Sequence, residues 1–131
     1  MQDREVRDWF AEYLSALAAL GRGESRPDDV VAHYGVPFLL TTDDVSISHG
    51  TVDEVAAWLQ GQADAMTAAA YDHTKTLAGD IAILNRNTAL LRGEFSRQRA
   101  DGTEISQMSV TYVITRASES FRISVLVLNS P

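Results

Sequence analysis

A chain of 131 residues, with 45% hydrophobic and 22% charged residues, has the size and composition of one globular domain, so residues 1–131 are predicted to form a single domain. The net charge of −7 and the eleven scattered basic residues exclude a nucleic-acid backbone or an acidic membrane surface as partner. The absence of cysteine excludes disulfides and thiolate chemistry, and together with a charged start it predicts a cytoplasmic protein.

Two helices are predicted in the first 35 residues. Residues 3–20 place apolar side chains at spacings of three and four, and Gly21 is a natural end for this amphipathic helix. The apolar stripe consists of Val6, Trp9, Phe10, Tyr13, Leu14, Leu17 and Leu20. Ser25, with Asp28 three residues later, predicts a capped start for a short second helix that ends at Gly35.

Two strands and a third helix follow. The segment VPFLLTT at 36–42 predicts a strand that is apolar on both faces, and VSIS at 45–48 predicts a short second strand. Thr51 and Glu54 form a capping box that starts a helix running to about residue 70. Its buried side is predicted to carry Val55, Trp58, Leu59, Gln62, Ala63 and Met66.

The second half of the chain is predicted to form four long strands. Turn signals divide it at NRN (85–87), at DG (101–102) and at ASES (117–120). Helices followed by long antiparallel strands indicate an α+β fold, with three N-terminal helices on one face of a strongly curved, mostly antiparallel sheet.

The turns also predict strand register. A two-residue loop at DG pairs Phe95 with Met108. A three-residue loop at NRN places Ile81 opposite Leu91, whereas a two-residue loop would turn Ile81 outward and bury less apolar surface. We therefore predict the three-residue loop, although a bulge would shift any such pairing by one residue. The same analysis pairs Leu91 with Tyr112 and Ile83 with Ala89.

The outer face of the sheet is predicted to form a homodimer interface. In the last strand Phe121, Ile123, Val125 and Val127 share one face, taken as the inner one. The outer patch is then predicted to contain Leu90, Val113, Leu126 and Leu128, with the methyl groups of Thr111 and Thr115. A contiguous apolar patch across three strands is typical of an interface, and the alternative is that the C-terminal NSP tail or a loop covers it.

The chain resembles the NTF2-like superfamily in its SnoaL-like branch. The resemblance is carried by HYGVPFLLTTDDVSISHGTVDEVAAWL, NTALLRGEFSRQRADGTEI, VTYVI and FRISVLVLN. It implies a cone in which a bent sheet wraps around the helices and leaves an apolar pocket between them. Members include ketosteroid isomerases, polyketide cyclases, epoxide hydrolases, dehydratases and non-catalytic binding or scaffold modules. Positions that carry a catalytic Asp or a pocket His in relatives correspond to Thr41 and Val127 here.

In such a cone, aromatic side chains line the pocket. The predicted ligand-binding residues are Tyr13, Tyr34, Phe38, Trp58, His73, Phe95 and Tyr112. His73 has the inner parity of its strand and is the preferred titratable candidate, with a hydrogen-bonded histidine at the core edge as the alternative.

The other titratable candidates also have structural explanations. Asp43 could be a general base, but two adjacent aspartates are typical of a hairpin turn, which is the preferred interpretation of Asp43 and Asp44. His49 could turn inward, although a partly exposed position is favoured, and His33 is expected to face solvent. No metal-ligand spacing, phosphate loop or nucleophile motif is present, so no metal or cofactor is predicted.

Two functions from different classes remain. The first is a pocket for a small hydrophobic ligand, either for binding alone or with cofactor-free acid–base chemistry of the isomerase, cyclase or dehydratase type. The second is a non-catalytic dimeric scaffold or interaction module whose cavity is filled by its own core.

Overall fold

The computed structural model describes residues 1–129, and within them the helices precede the long strands as predicted. The helices are α1 (Asp3–Gly21), α2 (Asp28–Val31) and α3 (Val52–Ala68). The strands are β1 (Tyr34–Thr41), β2 (Ser46–His49), β3 (Tyr71–Asn85), β4 (Thr88–Arg99), β5 (Glu104–Ala117) and β6 (Ser120–Asn129). None of the described helices is long and apolar enough to cross a membrane.

The strands form one six-stranded sheet in the order β2-β1-β6-β5-β4-β3. All neighbours are antiparallel except β1 and β6, which are parallel. The three helices cover one face, and their apolar stripes form a single core with the inner residues of the sheet. The predicted α+β fold, with three helices on a mostly antiparallel sheet, is therefore confirmed.

The predicted register of both hairpins is confirmed. Phe95 pairs with Met108 across the DG turn, and Leu91 pairs with Tyr112. Ile81 lies opposite Leu91 as predicted, but the predicted three-residue loop is wrong: Asn85 pairs with Thr88 across a two-residue loop, and a bulge between Ile83 and Asn85 restores the predicted pairing. Turn length alone does not set these registers, because a bulge lies next to each turn, between Ile83 and Asn85 in one hairpin and beside Arg97 and Gln98 in the other.

The helix starts are predicted with mixed success. The backbone N–H of Glu54 donates to Thr51 Oγ1 at 3.1 Å, so the cap of α3 is confirmed. The predicted cap of α2 is wrong: its N-cap is Pro27, without a side-chain cap, and the Ser25 hydroxyl is buried with no hydrogen-bond partner among residues 1–129. This helix also ends at Val31, so Tyr34 begins β1 instead of lying on a helix.

A bulge in β6 corrects the predicted outer patch. Val113 pairs with Val125 whereas Ile114 pairs with Ile123, so Ser124 is an extra residue in β6. Its hydroxyl hydrogen-bonds Thr115 Oγ1 at 2.6 Å. The extra residue reverses the alternation beyond it, because successive strand residues point to opposite faces.

The predicted outward orientation of Leu126 and Leu128 is therefore wrong. Leu126 pairs with the buried Tyr112 and is itself buried, and Leu128 packs against the core. Val125 and Val127 take their places on the outer face. The alternative, in which the C-terminal tail covers that face, concerns Ser130 and Pro131, which lie outside the described residues.

A second bulge corrects the predicted position of His73. Thr76 pairs with the inward-facing Phe95, but Ala78 pairs with Glu94, so Leu77 is an extra residue in β3. The alternation reverses there, and His73 is paired with Gln98 on the outer face. The predicted inner parity of His73 is therefore wrong.

Candidate ligand-binding cavity

A cavity of about 310 Å³ lies between α1, α3 and the inner face of the sheet. Such a volume is at the lower end of the range for small-molecule sites, which is about 300–1,000 Å³. The lining consists of Tyr13, Leu17, Tyr34, Leu40, Thr42, Trp58, Leu59, Gln62, Arg97, Met108, Val110, Tyr112, Leu126 and Leu128. The walls are mainly aliphatic and aromatic, with a small number of polar groups.

Two tyrosine hydroxyls meet at one end of this cavity. Tyr13 lies on the apolar stripe of α1, and Tyr34 is the first residue of β1. Their hydroxyl groups hydrogen-bond each other, and their rings meet edge to face with centroids 5.7 Å apart. Only one of the two hydroxyl hydrogens is used in that bond, so the pair retains one O–H that can donate to another acceptor.

Tyr112 contributes a third hydroxyl from β5. The side chain is buried and lines the cavity, and no residue among 1–129 hydrogen-bonds its hydroxyl. Burial is the main reason that the pKa values of Tyr13, Tyr34 and Tyr112 are raised above the ordinary value of a tyrosine. All three are neutral hydrogen-bond donors over the physiological pH range.

Arg97 is the one residue of the lining with a permanent charge. It is half-buried on β4, and its cross-strand neighbours are the uncharged Thr74 and Ser106. Among residues 1–129, no carboxylate forms an ion pair with its guanidinium and no side chain hydrogen-bonds it. Its positive charge opposes the rise in pKa of the lining residues Tyr13, Tyr34 and Tyr112, and also that of Tyr71, which lies outside the lining.

Trp58 and His49 form part of an aromatic wall. The Trp58 ring contacts Tyr34 and Phe38 with centroids 5.7 and 5.4 Å away. His49 is paired with Phe38 across the β1–β2 hairpin, and the two rings stack at 6.1 Å. The His49 side chain is only 15% exposed and its Nε2 is buried without a partner in the described chain. His49 is therefore partly exposed at the end of the edge strand β2, as favoured, and its ring lies against Phe38 outside the cavity lining.

Four of the seven predicted ligand-binding residues line the cavity: Tyr13, Tyr34, Trp58 and Tyr112. Phe38 is fully buried behind this wall. Phe95 lines a separate groove of about 210 Å³ between α1 and strands β3 and β4. His73 does not line the cavity; its side chain is 44% exposed and its Nδ1 lies 2.9 Å from Asp72 Oδ2.

The remaining titratable candidates lie elsewhere. Asp43 and Asp44 are exposed in the β1–β2 turn, where Thr42 Oγ1 accepts hydrogen bonds from the backbone N–H groups of Asp44 and Val45. Both aspartates lie in the turn between the two strands, where the hairpin interpretation placed them. His33 does not face solvent as predicted, because its ring packs 5.7 Å from the Trp9 ring and its Nδ1 lies 3.1 Å from the Val30 carbonyl oxygen.

Sequence analysis missed Arg97 as a cavity residue. A usable signal was present: Arg97 lies two residues after Phe95, and alternation therefore places it on the same inner face. A charged residue near the end of a strand is more commonly read as exposed, and no sequence pattern indicated that two helices would leave open space beside it.

The cavity is rich in donors and poor in bases. The hydroxyl groups and the guanidinium can donate hydrogen bonds to an oxygen atom of a ligand. No aspartate, glutamate or histidine of residues 1–129 belongs to the lining. The described site can thus bind and polarise a ligand, but it lacks the ordinary side chains that remove a proton from carbon.

This combination of fold and site defines an α+β domain whose helices and curved sheet enclose a small, mainly apolar cavity. Residues 4–131 match the family model described as NTF2-like protein (DUF6841), and the chain belongs to that family. Membership of the SnoaL-like branch stays a prediction. None of the curated proteins matches the sequence.

Solved structures share the fold at low sequence identity. A Xanthomonas campestris protein assigned as a calcium/calmodulin-dependent protein kinase II association domain has a TM-score of 0.72 and 14% identity over 100% of this chain and 89% of its own. The yeast UBP3-associated protein BRE5 has a TM-score of 0.67 and 15% identity over 94% of each chain. A Parabacteroides distasonis protein assigned as a ketosteroid isomerase has a TM-score of 0.67 and 12% identity over 96% of this chain and 85% of its own. These similarities establish the fold alone.

Proposed function

We propose that the protein binds a small, largely apolar molecule in the cavity between α1, α3 and the sheet. The observation that carries this proposal is the Tyr13–Tyr34 hydroxyl pair, which is buried in the lining of a mainly apolar cavity. A core filled by its own side chains does not require three tyrosines in the lining of one cavity. Few polar groups on apolar walls are the usual design of a ligand site.

The proposal favours binding over carbon acid–base catalysis. The tyrosine pair is suited to holding a carbonyl or phenolic oxygen, as donors of an oxyanion hole do. An isomerase or dehydratase would also need a base within reach of the ligand, and the described lining has none. A cofactor-free reaction is therefore compatible with this lining only where the ligand needs polarisation of an oxygen atom and no removal of a proton.

Binding of the neutral probe 2-naphthamide, followed by ¹⁵N–¹H NMR, tests the proposal. The chain has two tryptophans, so the indole N–H signal of Trp58 is readily separated from that of Trp9. We expect probe-dependent shifts at Trp58 and the other lining residues with a dissociation constant below about 1 mM. Absence of any shift at millimolar probe would overturn the proposal.

A blocked cavity provides the matched variant. Met108→Trp replaces a half-buried, unbranched side chain of the lining with a larger indole ring and should abolish the shifts. Leu77→Trp introduces the same ring at an exposed bulge outside the cavity and should leave binding unchanged. Equal binding by both variants would place the probe elsewhere.

We also propose that the protein is a homodimer. Dimerisation through the outer face of the sheet is compatible with ligand binding in the cavity, because the cavity lies on the inner face. The corrected outer face carries Leu90, Val113, Val125 and Val127, where Val113 pairs with Leu90 on one side and Val125 on the other. Apolar residues on three adjacent strands support an interface with a second copy of the chain. A cytoplasmic location stays a prediction.

A further inference from the structure

We propose that Arg97 makes the cavity selective for ligands that carry a carboxylate on an apolar ring. This inference rests on the proposed binding function and names the chemical class of the ligand. A half-buried guanidinium beside aliphatic walls is costly unless an anion accompanies it. The described chain supplies no such anion, because Arg97 has neither an ion pair nor a side-chain hydrogen bond among residues 1–129.

The carboxylate nearest to Arg97 along the hairpin is committed to other groups. Glu104 lies on the outer face, where it accepts hydrogen bonds from Ser96 Oγ at 2.6 Å and from Gln107 Nε2 at 3.0 Å. It is paired with Gln98, one residue beyond Arg97 and on the opposite face. The described chain thus supplies no carboxylate to the guanidinium of Arg97, which belongs to the cavity lining.

The neutral polar groups favour the same class of ligand. The Tyr112 hydroxyl has no partner among residues 1–129, and the Tyr13–Tyr34 pair retains one free O–H. Together with the guanidinium they form a set of donors that needs acceptor oxygens, and a carboxylate supplies two. The apolar remainder of the ligand would contact Leu59, Trp58 and the aliphatic residues of β5 and β6.

Size and charge limit the ligand further. A volume of about 310 Å³ suits a monocyclic or bicyclic acid rather than a long acyl chain. The net charge of −7 repels anions from most of the surface, so binding of an acid depends on a local cation. Arg97 provides that cation in the described lining.

Matched acids and amides test the inference by isothermal titration calorimetry of the full chain. The pairs are 2-naphthoate with 2-naphthamide and benzoate with benzamide, which differ in charge and hardly in shape. We expect each acid to bind the native protein at least tenfold more tightly than its amide. Equal or weaker binding of the acids, with the amides still bound, overturns the anion selectivity and leaves the binding function intact. No binding of any probe overturns both.

Variants of two arginines on the same strand locate the effect. Arg97→Gln should weaken naphthoate binding at least tenfold and change naphthamide binding less than twofold, while Arg97→Lys should retain part of the preference. Arg92→Gln, which removes an exposed charge from the outer face of β4, should alter neither ligand. A preference for acids that persists in Arg97→Gln overturns the assignment to Arg97. If this variant does not fold, the ratio of the acid and amide dissociation constants of the native protein still tests the selectivity.

Discussion

Tyr13 and Tyr34 are separated by 21 positions in the chain, yet their hydroxyl groups hydrogen-bond each other at the end of the cavity. This contact joins the first helix to the first strand through two polar atoms in an apolar surrounding. A buried polar pair of this kind is costly to disrupt singly, because the remaining hydroxyl then lacks its partner. The same hydrogen bond therefore contributes to the stability of the fold and positions the hydroxyl groups that we propose bind the ligand.

Removal of one hydroxyl from this pair should destabilise the protein. Tyr13→Phe and Tyr34→Phe are each expected to lower the free energy of unfolding by about 1–3 kcal/mol, and the double variant by less than their sum. Urea unfolding measures these values. Tyr112→Phe is the control: its hydroxyl has no partner in the described chain, so its effect should be about 0.5 kcal/mol or less. Strict additivity of the first two substitutions would contradict a shared bond.

Alkaline pH should destabilise the fold through its tyrosines. Burial is the main cause that raises the pKa of each of the four, namely Tyr13, Tyr34, Tyr71 and Tyr112. Above the unfolded pKa of about 10 the unfolded chain loses these protons while the native protein keeps them, so stability is complete below pH 10 and falls as pH rises. Each fully protected tyrosine contributes a loss of about 1.4 kcal/mol per pH unit.

Ultraviolet titration checks this pH dependence. Phenolate absorbance at 295 nm should stay low in the native protein at pH 10.5 and should rise only as near-ultraviolet circular dichroism is lost. In urea all four tyrosines should titrate near pH 10. Appearance of phenolate at pH 10 with native dichroism retained would show that the hydroxyls are not protected.

Two glycines that face each other in the sheet should respond oppositely to alanine. Gly79 pairs with Gly93 across β3 and β4. A Cβ at Gly93 would lie 2.3 Å from Phe95 Cζ, whose ring is confined by Phe10 at 6.2 Å, so Gly93→Ala should cost about 1–3 kcal/mol. A Cβ at Gly79 meets only the Arg92 carbonyl oxygen at 3.5 Å, so Gly79→Ala should be neutral or slightly stabilising. Thermal unfolding of the two variants compares them directly, and equal costs would contradict the packing of Phe95 over Gly93.

The proposed dimer should dissociate when a charge is placed at the centre of the outer face. Val113→Lys introduces two ammonium groups near the two-fold axis and should give a monomer at tens of micromolar by sedimentation. Val52→Lys, on an exposed position of α3, should leave the association unchanged. A monomeric native protein at these concentrations would refute the dimer. Leu126→Lys is unsuitable for this test, because that side chain lies in the cavity wall.

Local sequence determined the order of the elements and the places where the long hairpins turn. The stripe on α1, the Thr51 cap and the turns at 85–87 and 101–102 act through residues within a few positions of one another. Such signals need no knowledge of distant contacts. They also predicted that Tyr13, Trp58 and Tyr112 lie on the side that lines the cavity.

Tertiary structure alone decided which residues beyond the bulges face the helices. One extra residue at Leu77 turned His73 outward, and another at Ser124 turned Leu126 inward. A strand alternates with a period of two, so a single insertion inverts every following side chain, and the strand cannot be read without its partner. The cavity beside Arg97 also depends on distant packing. It exists only where helices from one half of the chain pack on strands from the other, so no local pattern could reveal it.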